Sequence, residues 1–287
     1  MADLSDRPVR LLALDVDGTL LDQSGVLRAG IQEVLQSVSD RGIRAVLCTG
    51  RRYRRAAAIS RQIGLGSPMV CNSGALVKDP VTQQTLWRAD LDPQVMAGVL
   101  DHFQTSGYPA VSFSDLGLDS YDFFVAAYPS GRPDFDDYVG QNFKHAQVEP
   151  GWQHQARVGA TSHFHVCAIG SHQEILELEQ GFPNEIRPRI QTFVQRTPRY
   201  VGWMCEVIRA DASKWTAVCQ VADRWGIPRS QICAVGDDVN DRAMIEQAGL
   251  GVAMAHAPAS VRSIANLVLG DTRPDELASF LDSLRAG

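Results

Sequence analysis

The stretch Leu14-Asp15-Val16-Asp17-Gly18-Thr19-Leu20 constrains this chain more than any other. It follows Val9-Arg10-Leu11-Leu12-Ala13, an apolar run that reads as a buried strand. Two carboxylates two residues apart at a strand's end cannot both enter a core, because an unpaired buried charge is very costly. Gly18-Thr19 then stops the strand and turns the chain. Two acids, a hydroxyl and free backbone N–H groups are thereby left at the carboxyl edge of a sheet, where open α/β sheets bind ligands. That set suits a magnesium ion and a phosphate group.

Asp-x-Asp-Gly also occurs in turns and in calcium loops. A helix–loop–helix calcium site needs further acids at alternate positions and a closing glutamate. Leu20, Leu21, Asp22 and Gln23 do not supply them. An ordinary turn stays open for this run taken alone. The decision rests on whether other phosphate-handling elements stand at the ends of other strands.

Composition narrows the class. The 287 residues are 45% hydrophobic and 21% charged, ordinary globular material with length for one large core or two domains. A net charge of −6 without a basic tail argues against nucleic acid as a partner. Six cysteines lack any CxxC pair and several sit in apolar runs, so free buried thiols in a reducing compartment are expected. Met1–Pro8 carries no signal-peptide hydrophobic region, and no apolar stretch reaches about 18 residues. These features predict a cytoplasmic protein with no membrane role; a monomer or homodimer is expected, and the sequence does not choose between them.

The first third alternates strand and helix. Arg28 to Asp40 carries an apolar stripe at Ile31, Val34, Leu35 and Val38, ended by Gly42. Ile43–Cys48 reads as a strand, Arg52 to Ile63 as a helix and Pro68–Cys71 as a short strand. Such alternation implies a parallel sheet with right-handed crossovers. The middle reads differently, with hairpin pieces, two helices at Asp92–Thr105 and Ser171–Gln180, and turn-rich stretches such as Tyr128–Pro133. Alternation then resumes. Met204–Ile208 leads to a helix Ser213–Trp225, Gln231–Val235 to Asp238–Ala248, and Gly249–Met254 to Ala257–Ala265. A strand Asn266–Leu269 and a helix from Arg273 to Arg285 close the chain. The fold expected is α/β: a Rossmann-like parallel-sheet core of residues 1–75 and 205–287, with an α/β domain of residues 76–204 inserted into it.

Three further elements fall at strand ends. Cys48-Thr49-Gly50-Arg51 offers a hydroxyl and a Gly-loosened backbone where a helix begins, which is either an ordinary cap or an anion site. Ser213-Lys214 places a cation at the start of a helix, away from the end that the macrodipole favours. That lysine is either a solvated surface residue or a point charge turned toward phosphate. Gly236-Asp237-Asp238-Val239-Asn240-Asp241 sets three carboxylates within one short loop, and they repel unless a cation or hydrogen bonds compensate.

Together these motifs resemble the haloacid dehalogenase-like superfamily, and more narrowly its Cof-type phosphatases with a type IIB α/β cap. The matching stretches are DVDGTL at 15–20, CTGR at 48–51, ASKWTAV at 212–218 and GDDVNDRAM at 236–244, supported by Asn72–Ala75 and Gly251–Met254. The resemblance covers both core segments and is weak across the cap. Two departures stand out: Trp215 where the family commonly has glycine, and Ala255-His256 where it usually has Gly-Asn. Both are expected at the pocket rim, and His256 reads as an exposed loop residue before a substrate contact.

The resemblance implies Asp15 as nucleophile, forming an aspartyl-phosphate, and Asp17 as general acid and then base. Magnesium would be held by Asp15, the backbone carbonyl of Asp17 and Asp237, with Asp241 behind or through water. Thr49, Gly50, Lys214 and Asn240 would bind the phosphoryl oxygens. The substrate implied is a small phosphorylated metabolite, a sugar phosphate foremost, chosen by the cap. A phosphosugar mutase or phosphotransferase would use the same aspartate, and a phosphosugar-binding protein without turnover is a third reading. The cap offers Arg132, Arg157, Arg187, Arg189, Arg196 and Arg199 as possible anion grips. It also holds His154, His163 and His165, which lack a fourth zinc ligand. Trp152, Tyr200 and Trp203 read as core before ring-stacking residues.

Overall fold

The computed structural model describes residues 8–196, 200–270 and 276–287. The chain forms two compact units: one from its two ends, up to Trp87 and from Ser213 onward, and one from Arg88–Ala212. The architecture is mixed α/β with a parallel-sheet core interrupted by an inserted α/β unit.

The core unit is built on an eight-stranded sheet. Its order is Leu267–Leu269, Leu250–Met254, Ile232–Gly236, Leu11–Asp15, Arg44–Cys48, Met69–Cys71, Leu76–Lys78 and Thr85–Arg88. The first six run parallel, and Met69–Cys71 pairs antiparallel with Leu76–Lys78. Leu11–Asp15 is buried along its whole length, as expected for a parallel strand covered on both faces. Leu11, Ala13, Val46, Cys48 and Ala234 share one apolar cluster with Trp215, Val218, Val221, Ala222 and Met244 of two helices, Lys214–Arg224 and Arg242–Gln247. Trp215 therefore fills the core and does not shape a rim. The stripe Ile31, Val34, Leu35 and Val38 is the buried face of the helix Ile31–Asp40.

Parallel pairing has one consequence for function: all carboxyl ends share an edge. Asp15 is in register with Cys48, Val235 with Leu14, and Gly236 with Ala253. The segments that follow those strands, beginning at Val16, Thr49, Asp237 and Ala255, leave the sheet side by side.

The inserted unit has a six-stranded sheet in the order Ile190–Arg196, Trp203–Arg209, Val166–Gly170, Val111–Phe113, Phe123–Val125 and Ala146–Val148. Neighbours are antiparallel apart from the last pair. Val99, Leu100, Phe103, Trp152, Val166, Ile175, Leu178 and Val207 form its apolar core.

Several expectations need correction. Trp203–Arg209, read as a core strand, lies inside the insert's sheet, paired along its length with Ile190–Arg196 and along Trp203–Val207 with Val166–Gly170. The units accordingly divide at Trp87/Arg88 and Ala212/Ser213, not at 75/76 and 204/205, because Leu76–Lys78 extends the core sheet. Two further helices, Pro133–Gln141 and Trp152–Arg157, occupy the middle. The segment Asp238–Ala248 begins as a 3-10 turn, Val239–Asp241, before the helix Arg242–Gln247. The last helix spans Glu276–Ser283, residues 273–275 of that expectation lie outside the described residues, and Arg285–Ala286 pairs with Pro8–Val9.

Candidate active site

Asp15, the last residue of its strand, is 4% exposed. Lys214 reaches it from the start of its helix, Nζ donating to Asp15 Oδ1 at 2.7 Å and to Asp241 Oδ1 at 2.6 Å. The lysine is itself buried, so the solvated-surface reading is excluded. Its helix is fixed at the N-terminus by a reciprocal cap between Ser213 and Thr216. Gly74 lets that terminus approach: with φ at +101°, a Cβ there would stand 2.1 Å from the Ser213 carbonyl carbon.

Asp241 is fully buried, and its Oδ2 accepts from the backbone N–H groups of Asp237 and Asp238, both at 3.0 Å. Asp237 takes a hydrogen bond from Thr19 Oγ1 on Oδ1 at 2.9 Å. Gly18, with φ at +85°, passes so close that a Cβ would meet Asp237 Oδ2 at 2.2 Å. Arg28 secures the same turn, donating to the carbonyl oxygens of Thr19 at 2.8 Å and Gly18 at 3.1 Å.

The electrostatics follow from burial. Asp15, Asp237 and Asp241 each bring one oxygen within 4.8 Å of the others. Burial, then the charge of Asp241, pushes the Asp15 carboxyl well above its ordinary range, with Lys214 opposing. Burial and Asp241 also raise Asp237. For Lys214, burial favours loss of the proton, but Asp15 and Asp241 outweigh it and hold the ammonium charged. Three carboxylates against one ammonium leave a net charge of −2 in a buried place. Asp15 Oδ2 is buried without a hydrogen-bond partner among the described residues. An all-oxygen donor set with that deficit fits a hard divalent cation.

Asp17 lies apart from this group. Its carboxylate is 42% exposed and gripped by the Arg51 fork, Nε donating to Oδ2 at 2.7 Å and the second nitrogen to Oδ1. Thr49 is buried, and its Oγ1 accepts from the Arg51 backbone N–H at 3.1 Å. Gly50 sits between them at the same sheet edge. Asn240 is buried beside Asp241, and its Oδ1 has no partner among the described residues.

Sequence reasoning named Asp15, Lys214, Asp237 and Asp241 together, and the structure brings them into one cluster. It gave no role to Arg51, although CTGR contained it; two acids at the neighbouring strand end were the available signal. Arg28 left no readable signal. His256 needs correction: its side chain is 19% exposed, and Nε2 lies 3.2 Å from Asp237 Oδ2.

The insert's candidate residues find partners within their own unit. Arg132 pairs with Glu174, Arg157 with Asp101, Arg187 with Glu179 and Arg189 with Asp92. Arg196 is exposed and Arg199 lies outside the described residues. His163 bonds Ser112 at 2.6 Å and Thr161 at 2.8 Å, and burial lowers it to about 4. His165 stacks on Phe113. Trp152 is core, Trp203 stacks on His172, and the Tyr200 hydroxyl donates to Asn142. No helix among the described residues is long and apolar enough to cross a membrane.

The pyridoxal phosphate phosphatase YbhA of Escherichia coli is 26% identical over 283 residues, covering 96% of this chain and 98% of the relative. The 5-amino-6-(5-phospho-D-ribitylamino)uracil phosphatase YitU of Bacillus subtilis is 25% identical over 279 residues, covering 94% and 96%. Among solved structures, the HAD subclass IIB sugar phosphatase BT4131 superposes with a TM-score of 0.72 at 17% identity, covering 95% of this chain and 98% of the other. Residues 12–281 match the family described as haloacid dehalogenase-like hydrolase, and the chain belongs to that family.

Proposed function

We propose that this enzyme is a magnesium-dependent phosphatase that hydrolyses small phosphate monoesters, sugar phosphates foremost, through an aspartyl-phosphate on Asp15. One observation carries the reading. Asp15 is held through Oδ1 by Lys214 while its buried Oδ2 has no partner among the described residues. A carboxylate fixed by one oxygen and free at the other is oriented to attack phosphorus.

Asp15 Oδ2 forms the bond to phosphorus as the ester oxygen departs, and Asp17 gives that oxygen a proton. Water then attacks the phosphoryl group and passes a proton to Asp17, which releases inorganic phosphate and restores Asp15. Arg51 donates to both Asp17 oxygens and orients the carboxyl group, and each oxygen keeps a further lone pair that can carry the proton. Lys214, Thr49, Asn240 and the Gly50 backbone would hold the phosphoryl oxygens. Asp15, Asp237 and Asp241, with the Asp17 carbonyl, would hold the magnesium. That ion would offset the repulsion between carboxylate and phosphate dianion.

The relatives support small phosphorylated metabolites as substrates, since those named are phosphatases of pyridoxal phosphate and of a ribitylamino-uracil phosphate. The sugar preference is supported by the fold likeness to a sugar phosphatase. The test is phosphate release from a panel of sugar phosphates, nucleotides and an aryl phosphate, with magnesium and with EDTA, using Asp15→Asn as control. Release should require both the metal and Asp15. Asp15→Asn with near-normal turnover refutes the covalent route.

A further inference from the structure

We infer that His256 is a positioning residue of the cation site: its imidazole N–H fixes the Asp237 carboxylate and thereby tightens binding of the divalent ion. The inference rests on the reading of Asp15, Asp237 and Asp241 as that site. His256 follows the strand Leu250–Met254, whose Ala253 is in register with Gly236. It therefore emerges from the sheet beside Asp237. Its backbone is held on both sides: Ala255 N–H donates to the Leu269 carbonyl at 2.7 Å and Ala257 N–H to the Met254 carbonyl at 3.0 Å. Arg262 donates to the Ala255 carbonyl at 2.7 Å. The imidazole is thus presented from a braced turn.

The contact itself has a fixed polarity. An ionised carboxylate only accepts, so the Nε2 that lies 3.2 Å from Asp237 Oδ2 is the protonated ring nitrogen. Thr19 Oγ1 holds the other oxygen. Asp237 is therefore clamped from two elements, one at each oxygen, and each oxygen keeps a further lone pair for a cation. A ligand already frozen in its binding rotamer loses little freedom when the ion arrives, and outer partners of this kind commonly set metal affinity. Asp15 and Asp241 have corresponding holders in Lys214 and the loop backbone. His256 supplies a share of Asp237's hold, at a position where the family resemblance leads one to expect a different residue.

The test is calorimetric titration of magnesium into the metal-stripped full-length protein, for wild type, His256→Ala and His256→Asn, with Asp237→Asn as the negative control. Wild type should bind one ion. His256→Ala should weaken binding about 10- to 100-fold, and His256→Asn, which keeps a side-chain N–H donor, should recover most of that loss. In assays, the magnesium concentration for half-maximal rate should rise more than kcat falls, and melting in EDTA should match wild type. Wild-type affinity in His256→Ala overturns the inference and leaves the phosphatase reading standing. Weakened binding that tracks a lower melting point in EDTA and is not rescued by asparagine assigns His256 a merely structural part, which also overturns it. Failure of the wild type to bind magnesium removes the cation site, and with it both readings.

Discussion

Replacing Lys214 by methionine, which keeps the volume and removes the charge, probes the arrangement on which the rest of the site depends. The ammonium makes two short bonds, at 2.7 and 2.6 Å, to carboxylates that are themselves buried. Removing one partner from such a group costs about 3–5 kcal/mol, because it leaves charge buried without compensation. At about 2–4 °C per kcal/mol, the melting temperature in EDTA at neutral pH should fall by about 6–20 °C. The pH dependence distinguishes this cause from a packing defect. Lys214 is held charged above its ordinary value of 10.5, so its contribution is fully present everywhere below that value. What the variant loses is compensation of ionised acids, and that loss should shrink as acidification protonates them. Saturating magnesium should also raise the variant's melting point more than the wild type's, since the site then carries a net charge of −3 by residue count. Differential scanning fluorimetry between acid and neutral pH, with EDTA and with magnesium, measures all of this. A deficit under about 1 kcal/mol, or one equal at both pH values, would refute the electrostatic account.

Four other outcomes follow from the same geometry. Asp15→Asn should abolish phosphate release while circular dichroism matches wild type. Gly74→Ala forces a Cβ against the Ser213 backbone at a φ of +101°; it should displace Lys214 and lower both stability and turnover, and a variant with normal melting and activity would contradict that packing. Arg51→Lys loses the two-pronged grip on Asp17, and turnover should fall by about 100-fold, as for other misplaced reacting groups, with the melting point retained. Asp15 and Asp237 are both held above their ordinary 3.8 by burial and by Asp241, so their favourable contribution is complete below that value and is lost as pH rises through the raised values. The magnesium-induced gain in melting temperature should therefore grow with pH, and a flat or falling gain would count against it.

Asp15 and Asp237 stand out in the sequence as carboxylates at the ends of apolar runs, although an ordinary turn stays open for the Asp15 run until the other strand-end motifs are set beside it. Lys214 taken alone reads equally as a surface residue, and only the resemblance of ASKWTAV to a family motif turns it toward the acids. Met204–Ile208 was misassigned for a physical reason: a strand buried on both faces inside the insert's sheet reads as apolar, as a parallel core strand does, and periodicity does not separate them. His256 looked like surface because its partner lies on a different strand's loop, and only the register of Ala253 with Gly236 brings them together. Arg28 illustrates the remaining limit. Its two bonds are to backbone carbonyls, and a carbonyl carries no residue identity to be read.

The division of the core between the two ends of the chain has a consequence for biosynthesis. Thr19 and Asp237 are hydrogen-bonded across 218 residues of sequence. At about 5–20 residues per second, the strand Leu11–Asp15 waits roughly 10–45 s on the ribosome for the second of its two neighbours, Ile232–Gly236. In that interval Arg88–Ala212 is complete and can fold as a unit. The apolar Leu11–Leu14 segment, buried on both faces in the finished protein, meanwhile stays without its neighbour Ile232–Val235. Truncation late in translation should thus yield a folded insert on an aggregation-prone remnant, and the acidic cluster is among the last features of the molecule to form.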